Sequence, residues 1–161
     1  MIYTIRKIEA KDNAAMAQII RKIFDELNAP KEGTAYADPF LDRLSEVYLN
    51  QNEKYFVVEI NGEIKGGAGI APLANDDSGI CELQKMYFAP EIRGFGIAQE
   101  VMRHCLEFAK QAGFKKCYLE TLPYMEAAQK LYRKFDFEYI DAPIGDTGHS
   151  SCHVFMLRDL E

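Results

Sequence analysis

The sequence predicts a mixed α/β (α+β) fold in which helices flank one twisted, largely antiparallel central sheet. Three observations lead to this prediction. Strand patterns cluster between residues 55 and 88, and a hairpin signal joins the first two of them. Two amphipathic helical patterns lie before and after this cluster. The 161 residues contain no repeat and no linker-like break in composition, so we expect residues 1–161 to form a single domain.

The first part of the chain predicts one strand and two helices. Residues 2–7 alternate apolar and polar side chains as a short strand does. Residues 10–27 place apolar side chains at helical spacing and form one amphipathic face. Residues 38–48 predict a second, shorter helix, with Pro39 in the first turn, where a helix tolerates proline.

The middle of the chain predicts three consecutive strands. Residues 55–60 and 64–71 flank Asn61-Gly62, a pair that favours a two-residue type I′ turn because both central positions need positive φ. A polar loop then leads to the third strand at residues 80–88.

The C-terminal half predicts two helices and three strands. Residues 93–112 carry one apolar face and are followed by Gly113, the residue type expected just beyond a helix C-terminus. The remaining elements are a strand, a helix and two strands, at residues 117–121, 125–135, 137–140 and 152–157. The complete order is β-α-α-β-β-β-α-β-α-β-β, which differs from the regular alternation of a doubly wound fold.

Composition and charge disfavour several classes of partner. The formal net charge is −6, and phosphate contacts need clustered Lys and Arg, so we expect no nucleic-acid partner. An acidic chain is compatible with a cationic amine as substrate. No apolar stretch approaches the roughly 20 residues that span a bilayer, and the N-terminus lacks the features of a signal peptide. We therefore expect a cytoplasmic protein that does not act at a membrane.

The cysteines predict neither a disulfide nor a metal site. Cys81, Cys105, Cys117 and Cys152 are widely spaced and contain no C-x-x-C pair, which favours small buried thiols in a reducing compartment. Residues 149–153 include two histidines and one cysteine, but no second cluster completes a zinc site. We expect no bound metal.

A glycine-bearing turn gives the strongest chemical signal in the chain. It follows the strand at residues 80–88, opens a long helix, and reads Arg93-Gly94-Phe95-Gly96-Ile97-Ala98. Glycines remove Cβ where a ligand must approach the backbone, and the unpaired N–H groups at a helix start attract a pyrophosphate. The turn therefore predicts a pyrophosphate-binding site.

Two other phosphate-binding motifs do not fit. A dinucleotide fingerprint needs a third glycine and an early βαβ unit, and the turn lies past the middle of the chain. The glycine run at residues 66–69 lies inside an expected strand and opens no helix. A Walker loop is excluded because the sequence contains no G-K-[ST].

The turn and a later segment resemble the GNAT superfamily of N-acetyltransferases. The cofactor motif of that family is [Q/R]-x-x-G-x-[G/A], and Arg93, Gly96 and Ala98 occupy its first, fourth and last positions. Residues 128–137 resemble the family's A-x-x-L-Y-x-x-x-G-F segment. The element order is also that of the family, so the resemblance covers most of the chain. It implies a GNAT-like fold, an acyl-CoA N-acyltransferase domain, and acetyl-CoA as cosubstrate.

The resemblance also implies roles for individual residues. In such enzymes the strand before the turn splays from its neighbour and pairs with the pantetheine arm, a role that falls on Met86, Tyr87 and Phe88. Tyr132 corresponds to the tyrosine that protonates the leaving thiolate. Glu82 lies on the strand where several members hold a general base. The cofactor turn comprises Arg93, Gly94, Phe95, Gly96, Ile97, Ala98 and Gln99.

Physical chemistry supports a base at Glu82 without the resemblance. An alkylamine with a pKa of about 10 is protonated at neutral pH and becomes a nucleophile only after it loses that proton. Glu82 is expected to share one strand face with Gln84 and Met86, where partial burial would raise its carboxyl pKa. Glu120 on the next strand is the rival base, and a water molecule polarised by Glu82 is a further alternative.

These observations predict direct acetyl transfer from acetyl-CoA to the primary amine of a small molecule within a ternary complex. No covalent enzyme intermediate is expected, because no cysteine adjoins a candidate base in this interpretation. A protein or peptide N-acetyltransferase stays open as an alternative, as does a non-catalytic CoA-binding regulatory module. The regulatory alternative is motivated by Met125, which stands where many members carry a cofactor-binding asparagine, and by Asp136, which replaces the usual glycine. Similar proteins often form dimers, so a homodimer is also left open.

Overall fold

One seven-stranded sheet forms the centre of the computed structural model, which describes residues 1–148 and 150–161. Numbered along the chain, its strands are β1 (Thr4–Lys7), β2 (Lys54–Ile60), β3 (Glu63–Pro72), β4 (Ile80–Phe88), β5 (Lys116–Thr121), β6 (Glu138–Ile140) and β7 (Val154–Asp159). Their spatial order is β1-β2-β3-β4-β5-β7-β6. β4 and β5 are parallel, and every other neighbouring pair is antiparallel. The mixed, largely antiparallel sheet is therefore confirmed.

Helices cover both faces of this sheet. They are α1 (Asn13–Leu27), α2 (Ile97–Gln111) and α3 (Glu126–Lys134). Ile20 and Phe24 of α1 are buried against one face, while Val101 and Cys105 of α2 are buried against the other. In both helices these residues are four positions apart, so one turn of helix separates them and they share a face.

The hairpin between β2 and β3 forms at the predicted residue pair. Asn61 and Gly62 have φ values of 52° and 80°, both in the left-handed region that a type I′ turn requires. Ile60 pairs with Glu63 directly beside the turn. The prediction of a two-residue hairpin is confirmed.

The predicted helix at residues 38–48 is wrong. The structure has a 3₁₀ segment just before this range, Ala35–Ala37, and a second within it, Leu41–Glu46, which contains a non-helical residue, Arg43. The amide of Ser45 donates to the side-chain oxygen of Asn13 at 2.9 Å rather than to a helical carbonyl. A side chain from α1 therefore takes the backbone hydrogen bond that an α-helix would need.

The long central helix starts later than predicted. α2 begins at Ile97, because Gly94 and Gly96 have φ values of 86° and 78°, which an α-helix cannot contain. The helix ends at Gln111, and Gly113 follows with a φ of 90°, as expected for the residue beyond a helix end. Residues 93–96 therefore form a turn ahead of the helix.

A β-bulge in β4 overturns one expectation about the strand faces. Gly69 pairs with Gln84 and Gly67 with Tyr87, so β4 carries one extra residue between these pairs, and Lys85 has a φ of 49°. Because the extra residue reverses the alternation, Met86 packs with the α2 side of the core and Tyr87 with the α1 side. Met86 therefore does not share a face with Glu82 and Gln84, as the simple strand alternation predicted.

None of the described helices combines the length and apolar character that a membrane-spanning helix needs.

Candidate active site

The candidate site lies where the two parallel strands separate. β4 and β5 pair only from Ile80 and Lys116 to Glu82 and Tyr118. Beyond that point both strands continue, β4 to Phe88 and β5 to Thr121, without pairing with each other. The gap opens into a cleft of about 520 Å³, called the fork cleft below, which is lined by both strands and by residues of all three α-helices.

The glycine turn forms one end of the fork cleft. Gly94, Gly96 and the first residues of α2 line it, and a Cβ built on either glycine meets no atom within 4 Å. The first N–H groups of a helix have no partner inside the helix and carry the positive end of its dipole. This end of the cleft therefore presents backbone donors without side-chain obstruction.

The ten predicted cofactor residues divide into two groups. Nine of the ten line the fork cleft, namely Met86, Tyr87, Phe88, Arg93, Gly94, Gly96, Ile97, Ala98 and Gln99. Phe95 does not, and 58% of it is exposed. Arg93 donates from Nη2 to the carbonyl oxygen of Phe88 at 2.9 Å, so its guanidinium ties the turn to the end of β4.

Tyr132 of α3 lies on the wall of the fork cleft. Only 6% of it is exposed, and its ring packs edge-on against Phe137 with a centroid distance of 6.1 Å. Burial, with a smaller contribution from Cys152, raises the pKa of the Tyr132 hydroxyl above its usual range. The hydroxyl is therefore protonated at neutral pH, as a proton donor must be.

Glu82 lies just before the strands separate and is 3% exposed. Its Oε1 accepts a hydrogen bond from Nε2 of Gln84 at 2.6 Å, and the Gln84 carbonyl oxygen accepts one from the Tyr48 hydroxyl at 2.6 Å. Burial raises the pKa of Glu82 to about 7, the Gln84 hydrogen bond opposes this, and the negative charge of Glu120 adds to it. Glu82 is not among the residues that line the cleft, so its carboxylate lies behind the wall.

Glu120, the rival base, lines the fork cleft directly. Its carboxylate accepts hydrogen bonds from the Tyr118 hydroxyl at 2.5 Å and from the Thr147 hydroxyl at 2.7 Å. The Tyr118 hydroxyl also accepts from the backbone amide of Ile144 at 3.2 Å. The loop between β6 and β7 is thus fastened to this wall, and two carboxylates lie near the fork.

Sequence reasoning missed a buried ion pair in the site. Nζ of Lys85 lies 2.7 Å from Oδ2 of Asp38, and the two side chains are 7% and 21% exposed. Lys85 lines the fork cleft at the β4 bulge, while Asp38 comes from the segment that was predicted as a helix. These residues are 47 positions apart, and no local pattern links them.

Sequence reasoning also missed the position of Cys152 near the candidate bases. Cys81, Cys105 and Cys117 are buried thiols as predicted, whereas Cys152 is half-buried. Burial first, and then the charges of Glu120 and Glu82, raise the pKa of Cys152 to about 12. The loop before β7 therefore brings Cys152 within range of the charges of both carboxylates, which no sequence pattern indicated.

No group of three or more His, Cys, Asp or Glu side chains able to hold a metal occurs among residues 1–148 and 150–161. The histidine at position 149, considered with the 149–153 cluster in the sequence, lies outside the described residues.

These features agree with what the resemblance to acyl-CoA N-acyltransferases implies: the sheet splays between two parallel strands, a glycine turn forms one end of the cleft, and a buried acid lies beside the cleft. Comparison with known proteins gives the family. A sequence model of the Acetyltransferase (GNAT) family matches residues 16–137. The chain is 48% identical over 158 residues to the uncharacterised N-acetyltransferase YjgM of Escherichia coli K12, covering 97% of this chain and 94% of YjgM. The chain therefore belongs to the GNAT acetyltransferase family.

Solved structures support the same fold. An acetyltransferase of the GNAT family from Staphylococcus aureus Mu50 superposes with a TM-score of 0.88 at 22% identity, covering 99% of this chain and 100% of that one. The structure of yncA from Salmonella typhimurium, which contains its cofactor acetyl-CoA, gives 0.77 at 17% identity, with 100% and 95% coverage. The predictions of the GNAT fold and of an acetyl-CoA-dependent acetyltransferase are confirmed at the level of the family.

Proposed function

We propose that this protein transfers the acetyl group of acetyl-CoA to the primary amine of a small molecule, by direct attack within a ternary complex. The observation that carries the proposal is the fork cleft, which connects the glycine turn to Tyr132 and to Glu120, while Glu82 lies behind the cleft wall. A donor and an acceptor can therefore meet in one continuous space.

The donor assignment is supported by the shape and chemistry of one end of the cleft. Gly94 and Gly96 leave room for a diphosphate beside the α2 amides, which stabilise negative charge. β4 is paired with β3 along one edge, so Met86, Tyr87 and Phe88 present their other backbone edge to the pantetheine arm. Phe95 is exposed and does not line the cleft, and we assign it no contact with the coenzyme.

The acceptor assignment is supported by charge. Glu120 on the wall and Glu82 behind it favour a cationic amine. With a pKa of about 7, Glu82 can take a proton from the amine, directly or through water, and release it again near neutral pH. The free amine attacks the thioester carbonyl and forms a tetrahedral intermediate. As the C–S bond breaks, Tyr132 protonates the departing CoA thiolate. The extra proton on the new amide nitrogen then passes through water to the Tyr132 phenolate and restores the phenol.

Direct attack is preferred to a covalent route through Cys152. The raised pKa of about 12 keeps that thiol protonated, and a thiol is a poor nucleophile. We expect Cys152→Ala to retain turnover and intact-protein mass spectrometry to find no acetylated enzyme after mixing with acetyl-CoA. An acetyl adduct that is lost in Cys152→Ala, together with loss of turnover, would replace direct attack by a two-step transfer.

A small acceptor is preferred to a protein acceptor because two loops meet on the α1 side of the sheet. The amide of Ser151 donates to the carbonyl oxygen of Gly33 at 3.1 Å, and the Ser151 hydroxyl donates to the carbonyl oxygen of Glu32 at 2.7 Å. We infer that this contact restricts the access of an extended polypeptide to the site. We further propose a cytoplasmic location, which suits the four free cysteines. The homodimer stays a prediction.

Coenzyme binding tests the donor half of the proposal. We expect calorimetry to detect CoA and acetyl-CoA binding to the wild type, and Gly96→Ala to weaken it at least tenfold, because a Cβ would enter the cleft beside the diphosphate. Gly62→Ala is the matched control, since Gly62 has a similar φ of 80° and open space around it but lies in the β2–β3 hairpin. Equal loss of binding in both variants would show a folding effect rather than a coenzyme site.

Turnover tests the acceptor half. Thiol release from acetyl-CoA, measured across a panel of small amines and of peptides, should be fastest with a small primary amine. In the preferred amine's reaction, Tyr132→Phe should lower kcat by roughly 10-fold to 100-fold while leaving CoA affinity close to wild type. Saturable coenzyme binding with no turnover on any amine would favour the regulatory module instead.

A further inference from the structure

Two glycines of β3 make room for a pair of buried tyrosines. A Cβ added to Gly67 would lie 2.6 Å from Cε1 of Tyr55, and one added to Gly69 would lie 2.6 Å from Cδ2 of Tyr55 and 3.0 Å from Cε1 of Tyr48. Such distances are shorter than non-bonded carbon atoms tolerate. The glycine run at residues 66–69, which the phosphate motifs do not explain, therefore lets both aromatic rings lie against the strand.

The two tyrosine hydroxyls reach consecutive residues at the β4 bulge. Tyr48 donates to Oε1 of Gln84, and Tyr55 donates to the backbone oxygen of Lys85, both at 2.6 Å. The rings are 5.3 Å apart, and both residues are fully buried. Burial raises the pKa of each hydroxyl well above its usual range, so both remain donors at any working pH.

The Tyr48 hydrogen bond fixes the orientation of the Gln84 amide. A phenol O–H at neutral pH has one proton, and here it is given to the carbonyl oxygen of Gln84. The amide nitrogen must then face Glu82, whose carboxylate oxygen is 2.6 Å away. If the amide rotated by half a turn, its oxygen would face the ionised carboxylate, so that hydrogen bond would be lost, and the Tyr48 proton would lose its acceptor on Gln84.

We propose that Gln84 and Tyr48 are positioning residues for the general base, holding the Glu82 carboxylate in one orientation and favouring its ionised form. The proposal rests on the proposed function, in which Glu82 removes the proton of the acceptor. The charged and titratable groups around Glu82 come from β4, from β5, from the segment before β2 and from the loop before β7; they are Lys85, Tyr118, Glu120, Tyr48 and Cys152.

The opposing effects of the surrounding groups on the pKa of Glu82 predict how the loss of Gln84 would change it. Burial and Glu120 both raise the pKa of Glu82, while the Gln84 hydrogen bond lowers it. Without Gln84 the carboxyl would hold its proton to higher pH, and less base would be available under neutral conditions. A residue that merely packs the strand would change stability or kcat without moving this titration.

The test is the pH dependence of kcat/KM in Gln84→Leu, Tyr48→Phe and the double variant. The rise of kcat/KM on the acidic side of the pH profile is called the acidic limb below. The acceptor's own titration is the same for all variants, so any difference in the position of this limb reflects a titration of the enzyme. In Gln84→Leu we expect the acidic limb to move upward by about one pH unit, with activity recovering above pH 9. Tyr48→Phe should move it in the same direction by less, because the amide remains but is no longer held.

Two features of the design separate positioning from simple damage. The double variant removes the Tyr48 hydroxyl together with its acceptor on Gln84, so neither of these two groups is left buried without the other. Tyr55→Phe loses a hydroxyl hydrogen bond of the same length from the same ring pair, but to Lys85 rather than to Gln84. We expect its acidic limb to stay at the wild-type position. An unmoved limb in Gln84→Leu and in the double variant, with kcat lowered equally at every pH, would overturn the proposal.

A titration without turnover distinguishes this proposal from the proposed function. In protein labelled with ¹³C at the glutamate side-chain carboxyl, the Glu82 signal is the one that Glu82→Gln removes. Its midpoint should rise in Gln84→Leu and stay in Tyr55→Phe. If the wild type transfers acetyl to no amine, the proposed function fails while the carboxyl titration still decides the role of Gln84. An unchanged Glu82 midpoint in Gln84→Leu refutes that role even in an active enzyme.

Discussion

Two buried carboxylates, Asp12 beside β1 and Glu82 at the fork, are equally inaccessible to solvent, but their pKa values are shifted in opposite directions. Each is 3% exposed. Asp12 accepts hydrogen bonds from Arg6 at 2.7 Å and 3.0 Å and from the amide of Glu9 at 2.8 Å. Burial would raise its pKa, but these bonds outweigh burial and lower it. Glu82 accepts from the neutral amide of Gln84 and faces the charge of Glu120, so its pKa rises to about 7.

The difference shows that depth alone does not decide what a buried acid does. A carboxylate held by a guanidinium is fixed in its charged form and serves the structure. A carboxylate held by an amide near a second acid can gain and lose a proton close to neutral pH, as a general base must. The two sites can therefore be told apart by measurement, both in turnover and in stability.

The largest expected difference is in turnover. Glu82→Gln should lower kcat/KM for the acceptor by roughly 10²-fold to 10³-fold, because the amide cannot take a proton. Asp12→Asn, measured where the protein remains folded, should stay within about threefold of wild type, because Asp12 lies outside the fork cleft. The measurement is initial-rate thiol release at pH 7.5. Comparable losses in both variants would mean that the effect of Glu82 is structural.

The second difference is in stability, and its sign is opposite at the two sites. The pKa of Glu82 rises from an ordinary value of 4.5 to about 7 on folding. Between these pH values the unfolded chain has released the proton and the folded chain holds it, so the wild type loses roughly 3 kcal/mol of unfolding free energy as the pH rises. Glu82→Gln has no such titration. It should be more stable than the wild type at pH 8 and close to it at pH 4.

Asp12→Asn should behave in the opposite way. The lowered pKa of Asp12 stabilises the fold above its ordinary value of 3.8, and this contribution is lost as the pH falls through the folded-state value. At pH 8 we expect a loss of about 2 kcal/mol, because the substitution leaves Arg6 without its buried carboxylate partner. Urea unfolding of both variants at pH 4 and pH 8 checks the pair of signs. A stabilising Asp12→Asn at pH 8 would contradict the structural role.

The fold was largely predictable because its signals are local. The hairpin at Asn61-Gly62 and the amphipathic faces of α1 and α2 are determined by residues within one turn of each other. The helix predicted at residues 38–48 failed because its competing partner, Asn13, is distant in sequence. The bulge at Lys85 was not predictable either, since one residue with a φ of 49° reverses the strand faces without any pattern in the side chains.

The site was predictable only in part, for the same reason. The glycine turn is a local motif, whereas the separation of β4 and β5 was inferred from the family resemblance. The environment of Glu82 depends on Tyr48, Gln84 and Glu120, which come from three separate segments. The loop before β7 brings Cys152 within range of the charges of the two carboxylates, and no periodic pattern in the sequence predicts the path of that loop. The sequence therefore indicates the candidate catalytic side chains, but their chemical roles depend on neighbours that only the three-dimensional structure reveals.

The smallest expected effect concerns the interaction between the two acids at the fork. If Glu82 is the base, Glu120→Gln removes the negative charge that helps to raise its pKa, so the acidic limb of kcat/KM should move downward by a few tenths of a pH unit to about one. The plateau at high pH should remain close to wild type. Glu63→Gln, which removes an exposed charge at the start of β3, is the control and should leave the limb in place.

The same variant decides between the two candidate bases. If Glu120, which lines the cleft directly, removes the proton of the acceptor, Glu120→Gln should abolish the plateau instead of shifting the limb. Glu82→Gln would then keep the plateau. The base is the residue whose variant, Glu82→Gln or Glu120→Gln, loses activity at high pH. The pH profiles of these two variants therefore assign the base, even though both carboxylates share one face of the fork.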